Sequence, residues 1–146
     1  MSARSGPPMA LLLAALVVGC SGALGRVEES RDFSIPGERF QKLAIIAGGS
    51  TSFDLQVAAR TQQILGEEEY EASIPSGRWG SPSAAVEDLC AAEDAQIDGV
   101  IIVVWDDLEL RDCETRRVAF HVKGGFGGVE KMTDRLLRYL RGQPPT

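Results

Sequence analysis

The chain has 146 residues, 44% of them apolar and 25% charged, with 15 Lys and Arg against 21 Asp and Glu and a formal charge of −6. These proportions are those of a globular protein and exclude a disordered, collagenous or polytopic membrane chain. The acidic balance leaves no basic excess to condense on phosphates, which argues against nucleic acid as a partner.

The first twenty residues read as an address. Arg4 gives a basic start, Gly6-Pro7-Pro8 a break, and Met9 to Val18 an unbroken apolar run. Such a segment is a secretory signal, too short to cross about 30 Å of hydrocarbon. Val17-Val18-Gly19-Cys20 closes it and resembles the lipobox of bacterial lipoproteins. The resemblance implies that residues 1–19 are a lipoprotein signal peptide and that Cys20 becomes an acylated first residue, joining the chain to a membrane through lipid. Several acyl chains hold a domain on a bilayer as one cannot. Ser21, where an Asp would signal retention, implies by the same resemblance the outer membrane, facing the periplasm. A plain signal peptide with an incidental Cys20, or an uncleaved anchor helix, are the alternatives. Removal of Arg4 with the segment takes the formal charge from −6 to −7.

Residues 20–41 read as the lipidated cysteine and a polar tether, broken by Gly22, Gly25, Pro36 and Gly37 and mixing charges from Arg26 to Asp32. Its root-mean-square reach is about 25 Å. Phe33, Ile35 and Phe40 are placed to pack where the tether meets the domain.

Residues 42–141 read as one α/β domain and residues 142–146 as a disordered tail. Lys42 to Ala47 is a β-branched run suited to a strand buried on both faces, ended by Gly48-Gly49. Ser50-Thr51-Ser52 and Asp54 offer a helix start, with Val57, Ala58, Thr61, Ile64 and Leu65 at helical spacing up to Gly66. Tyr70 to Ile74 predicts a strand, residues 75–83 a loop, and Ala84 to Ala95 a helix with Ala85, Leu89 and Ala92 inward. Val100 to Trp105 is the strongest strand, extending weakly through Leu108 and Leu110 to a turn at Arg111 to Thr115. Arg116 to Val122 alternates as a half-exposed hairpin strand, and Val129, Met132, Leu136 and Leu140 line a last amphipathic helix. The order β-α-β-α-β-β-α predicts an α+β architecture, a small mixed β-sheet with helices.

That order, with Asp98-Gly99 just before a β-branched strand, a hairpin and a leucine-bearing final helix, resembles the periplasmic domain of the TolB amino-terminal type. The curli-secretion lipoprotein CsgG and the penicillin-binding-protein activator LpoB share that domain. The resemblance covers residues 42–141 and implies an interaction module; it transfers no site residue.

Cys90 and Cys113 remain once Cys20 is given to lipid, an even pair outside the reducing cytosol. A disulfide between them and two separate thiols both stay open, because Cys90 lies near the far end of its helix and a bridge needs a Cα spacing of about 5.5 Å. His121 is the sole histidine and sits on a strand, with no spacing that pairs it with a cysteine or a metal. There is no G-x-S-x-G elbow, and Gly48-Gly49-Ser50-Thr51-Ser52 lacks the lysine and the spacing of a phosphate-binding loop, leaving helix capping as its role. Asp106-Asp107-Leu108-Glu109 reads as a solvated strand end. No catalytic residue, metal or cofactor is expected.

Two features suit partner contact. Arg78-Trp79 lies in a loop and Phe126 inside a glycine run, and aromatics with Arg anchor interfaces, although both rings could equally close over the core. Lys131, Arg135 and Arg138 form a basic stripe on the last helix, where solvated helix faces look the same. The expected function is a non-catalytic, lipid-anchored envelope module that binds an envelope protein; the alternative is a lipoprotein that binds a small ligand or an envelope glycan.

Overall fold

A computed structural model of the chain describes residues 27–49, 51–124 and 128–145; the address segment, Cys20 and Phe126 lie outside the described residues. Glu28–Arg31 forms β1, a strand within the stretch that polarity assigns to the tether. Its alternation is ionic. Glu29 and Arg31 turn toward the helix layer and pair at 2.7 Å, with the Arg31 guanidinium 5.4 Å from the Tyr139 ring centroid. A single 3₁₀ turn at Gly37–Arg39 follows, then β2 at Lys42–Ala47. Gly37 is required there because a Cβ would fall on the Tyr139 carbonyl.

From β2 the chain alternates as its periodicity predicts: α1 at Ser52–Glu67, β3 at Glu71–Ser73, α2 at Pro82–Ala91 and β4 at Gly99–Val104. Thr51 caps α1 by accepting the Asp54 N–H at 3.3 Å, and Ser81 caps α2 by accepting the Ala84 N–H at 3.1 Å, ahead of Pro82 in the first turn. The helix expected to begin at Ala84 therefore starts two residues earlier.

The strand expected to run weakly past Trp105 instead turns back there. β4 ends at Val104, Trp105 takes φ 27°, and Asp107–Asp112 returns antiparallel as β5, before β6 at Val118–Lys123 and α3 at Gly128–Leu140. The expected hairpin thus becomes a three-strand meander. The six strands lie in the order β1-β6-β5-β4-β2-β3, with β3, β2 and β4 parallel and the others antiparallel. The expected mixed sheet is present, with β1 and the β4–β5 turn as additions.

Because β3 and β4 flank β2 on opposite sides, the two crossovers place α1 and α2 on opposite faces of the sheet. Leu43, Ile45, Ile101 and Val103 face α1 and α3 in the main core, joined by Leu108, Leu110, Phe120 and Val122. The alternate residues Ile46, Val100 and Ile102 face α2 in a smaller cluster with Ala85, Val86 and Cys113. The body also extends beyond the expected limits of 42–141. β1 precedes it, and the tail carbonyls of Gln143 and Pro144 accept hydrogen bonds from Arg31 at 2.5 Å and Arg138 at 3.1 Å.

Candidate functional site

Three surfaces gather the residues of interest. The first is a crevice of about 600 Å³ at the carboxyl end of β2, between the start of α1 and the loop that leads from β3 into α2. Open α/β sheets bind ligands beyond the carboxyl ends of their strands. Ile74, Arg78, Trp79 and Ser81 line one wall, and Gly48, Gly49 and Leu55 the other. Arg78 is exposed, whereas Trp79 is half-buried against α2, its indole N–H donating to Asp88 at 3.0 Å. Trp79 thus takes the lid role at least in part.

The floor of this end is organised by a residue that pattern reading treats only as part of a helix start. Asp54 is buried, accepts the Trp105 N–H at 2.7 Å and the Thr51 hydroxyl at 2.8 Å, and fills the α1 N-terminus with its own carboxylate. Those bonds, that of Trp105 foremost, hold its carboxyl below the usual carboxylate range. A Cβ on Gly49 would fall on the Asp54 carboxylate, so the glycine pair makes room for a side chain of the protein itself. The spacing Thr51-Ser52-Phe53-Asp54 carries the capping signal; the reach to Trp105 does not show in it.

The second surface is the sheet face that α2 leaves open. β5, β6 and β1 present Asp107, Glu109, Arg111, His121, Lys123, Glu28 and Ser30 there, on the side opposite Leu108, Leu110, Phe120 and Val122. His121 Nε2 lies 2.8 Å from Asp107 Oδ1, and Arg111 donates to Glu109 at 2.9 Å. Among the described residues no group of three or more His, Cys, Asp and Glu could hold a metal ion.

The third is α3, where the stripe of basic residues divides. Lys131 is exposed, while Arg135 turns to Glu29 of β1 at 3.6 Å and Arg138 donates to the tail. At the opposite end of the sheet from the crevice, Cys90 and Cys113 are joined in a disulfide with Cα atoms 5.0 Å apart. The bridge is reachable because α2 and β5 both run antiparallel to β4, so the end of the helix and the β5–β6 turn arrive at the same edge. A second buried contact lies beside it: Asp112 pairs with Arg39. Burial pushes the Asp112 carboxyl up, but Arg39, Thr115 and the Glu114 N–H outweigh it and hold it low.

No protein-family model and no curated protein matches the chain. Its fold resembles that of PelC. The PelC dodecamer from Paraburkholderia phytofirmans aligns over 82% of this chain and 99% of its own length, with a TM-score of 0.51 and 13% identity. A single-substitution variant of the same PelC dodecamer aligns over the same shares at a TM-score of 0.52. At that identity the likeness is one of fold. It takes in PelC almost whole.

Proposed function

We propose that this protein is a lipid-anchored module of the cell envelope, set at the outer membrane on the periplasmic side, that acts by binding proteins rather than by catalysis. Val17-Val18-Gly19-Cys20 at the end of the apolar run carries the reading. The arrangement of the body supports the non-catalytic part. The disulfide occupies Cys90 and Cys113, His121 is engaged with Asp107 on the open sheet face, and the buried carboxylates Asp54 and Asp112 are spent on structural bonds. PelC assembles as a dodecamer, and copies of this chain are accordingly among the partners proposed for it, beside an envelope protein. The TolB-type resemblance, which implies an interaction module, points the same way.

Expression of the full chain and of Cys20→Ser in a Gram-negative host tests the anchor. The parent should sediment with membranes and gain the mass of acyl chains; Cys20→Ser should appear in the soluble periplasmic fraction. Membrane retention unchanged by Cys20→Ser would overturn the reading. Light scattering of the protein purified from Cys20→Ser cells should give a mass several times that of one chain, and a monomer at micromolar concentration would remove self-assembly from the proposal.

The crevice favours one second reading, a small ligand held between Trp79 and Leu55 with Arg78 as its cation. A ligand present at 100 times its dissociation constant stabilises by about 2.7 kcal/mol. Thermal-shift screening of anionic sugars and short glycans would therefore reveal it.

A further inference from the structure

We infer that the end of the sheet bearing Trp105 is a bilayer-facing surface, whose exposed apolar side chains enter the headgroup region beside the lipid on Cys20. The inference rests on the lipid-anchor reading of Cys20. Among the described residues seven large apolar side chains are exposed, and five of them, Phe53, Leu55, Ile74, Val104 and Trp105, lie at the carboxyl end of the parallel strands. Phe53 and Leu55 occupy the first turn of α1, Ile74 follows β3, and Val104 and Trp105 close β4. They share one end of the body. Asp54, between Phe53 and Leu55, holds the Trp105 N–H, and Leu55 faces Ile74 across the crevice. Trp105 is 67% exposed and Phe53 64%, values that call for a covering surface.

Strand direction decides what covers it. β5 runs down from this end, β6 returns to it, and β1 runs down again, so the chain comes into β1 at the Trp105 end. Glu28, Lys123, Asp107 and Val104 are successive partners in one row across β1, β6, β5 and β4. Three strand spacings separate Glu28 from Val104, about 14 Å. Cys20 stands seven residue steps before Val27. Seven steps span at most about 25 Å whatever their conformation. The acyl chains are therefore confined to the neighbourhood of the apolar end, while Phe33 and Val118 belong to the far one.

The charges of that row alternate, Glu28 and Asp107 around Lys123, with Asp106 in the turn. The attraction is thus apolar and interfacial rather than electrostatic, and it fits a tryptophan that keeps its polar edge in the headgroups. The occupant is the bilayer that receives the lipid.

The test attaches the chain chemically, so it reads orientation whether or not cells acylate Cys20. The chain from Cys20 onward contains the whole described body, and with Cys90 and Cys113 bonded, Cys20 is its free thiol. It is coupled to maleimide lipid in phosphatidylcholine vesicles, with coupling verified by co-flotation, and in parallel to hydrophilic beads. In the Trp79→Phe variant Trp105 is the sole tryptophan. Its emission should shift to the blue and be quenched by lipids brominated near the headgroup on vesicles but not on beads, with little dependence on salt. Adding Phe53→Asp and Leu55→Asp should reduce the quenching by half or more. Hydrogen exchange of the unmutated chain gives a readout that does not depend on Trp79→Phe folding: segments 53–55 and 104–106 should be protected on vesicles relative to beads. Unquenched Trp105 and equal exchange on the two supports would overturn the inference, as would protection that appears on both supports with self-association. Failure of the anchor in cells would show separately, as membrane retention that Cys20→Ser leaves unchanged.

Discussion

The Asp54 carboxylate accepts the backbone N–H of Trp105 at 2.7 Å, joining the first turn of α1 to the turn between β4 and β5, 51 residues away in sequence. The bond holds Trp105 at a positive φ that costs an L-residue energy, and it satisfies a donor in a turn with no ladder partner. Asp54→Ala should lower unfolding free energy by about 2–3 kcal/mol, measured by urea denaturation. Thr51→Ala, which keeps the Trp105 bond but loses the cap, should lower it by about 1 kcal/mol. Equal losses in the two variants would show that the cross-turn bond contributes little.

The ion pair of the buried Asp112 with the half-buried Arg39 and the Asp54 knot both favour ionised carboxylates in the folded state. Their folded values lie below the unfolded value of about 4. The stability they confer is therefore complete above about pH 4 and is lost as pH falls through the lower folded values. Asp112→Asn should flatten the acid limb of a stability-against-pH profile recorded by circular dichroism. An acid limb as steep as the parent's would assign acid unfolding to other groups.

At the alkaline side Tyr139 controls. Burial raises its phenol to about 12, and its hydroxyl donates to the Ile35 carbonyl at 2.5 Å. The unfolded phenol ionises near pH 10, so the unfolded state loses its proton first and stability falls as pH rises from about 10 toward 12. Tyr139→Phe should cost about 1 kcal/mol at neutral pH and reduce the alkaline fall. Denaturant midpoints at neutral and alkaline pH would check both parts.

The Cys90–Cys113 bridge fastens α2, which is otherwise held by the smaller apolar cluster and by the Arg116–Glu87 ion pair from the β5–β6 turn. Replacing both cysteines with Ala should destabilise by about 3 kcal/mol in the chain-entropy description. Hydrogen exchange should rise first in residues 82–91, while β4, shared with the main core, stays protected. Uniform loss of protection would show that α2 is not a separable unit.

Gly37 has no room for a methyl group, because a Cβ would meet the Tyr139 carbonyl, which is backbone and cannot rotate aside. Gly37→Ala should lower the unfolding free energy by about 1–3 kcal/mol. Gly66, with open space around its missing Cβ and a helical position, should by contrast accept Ala with a gain of up to about 1 kcal/mol. Thermal melts of the two variants shifting in the same direction would contradict this account.

Local pattern alone made much of this protein legible. β2 and β4 are continuous β-branched runs, α3 carries its apolar residues at helical spacing, and the crossovers follow from the alternation of elements, so the mixed sheet could be written down from periodicity. The address and the Cys20 reading are likewise properties of consecutive residues. The tertiary structure decided what depends on residues far apart. β1 was invisible because its inward side chains, Glu29 and Arg31, are charged and become buried only by pairing under α3. The basic stripe of α3 could not be resolved into exposed Lys131 and engaged Arg135 and Arg138 until β1 and the tail were in place. The turn at Trp105 depends on a carboxylate 51 residues away, and the Cys90–Cys113 bridge on two elements running the same way to one edge. Periodicity records which side of an element is apolar; strand direction and long-range ion pairing decide which elements meet and which end of the body the chain enters.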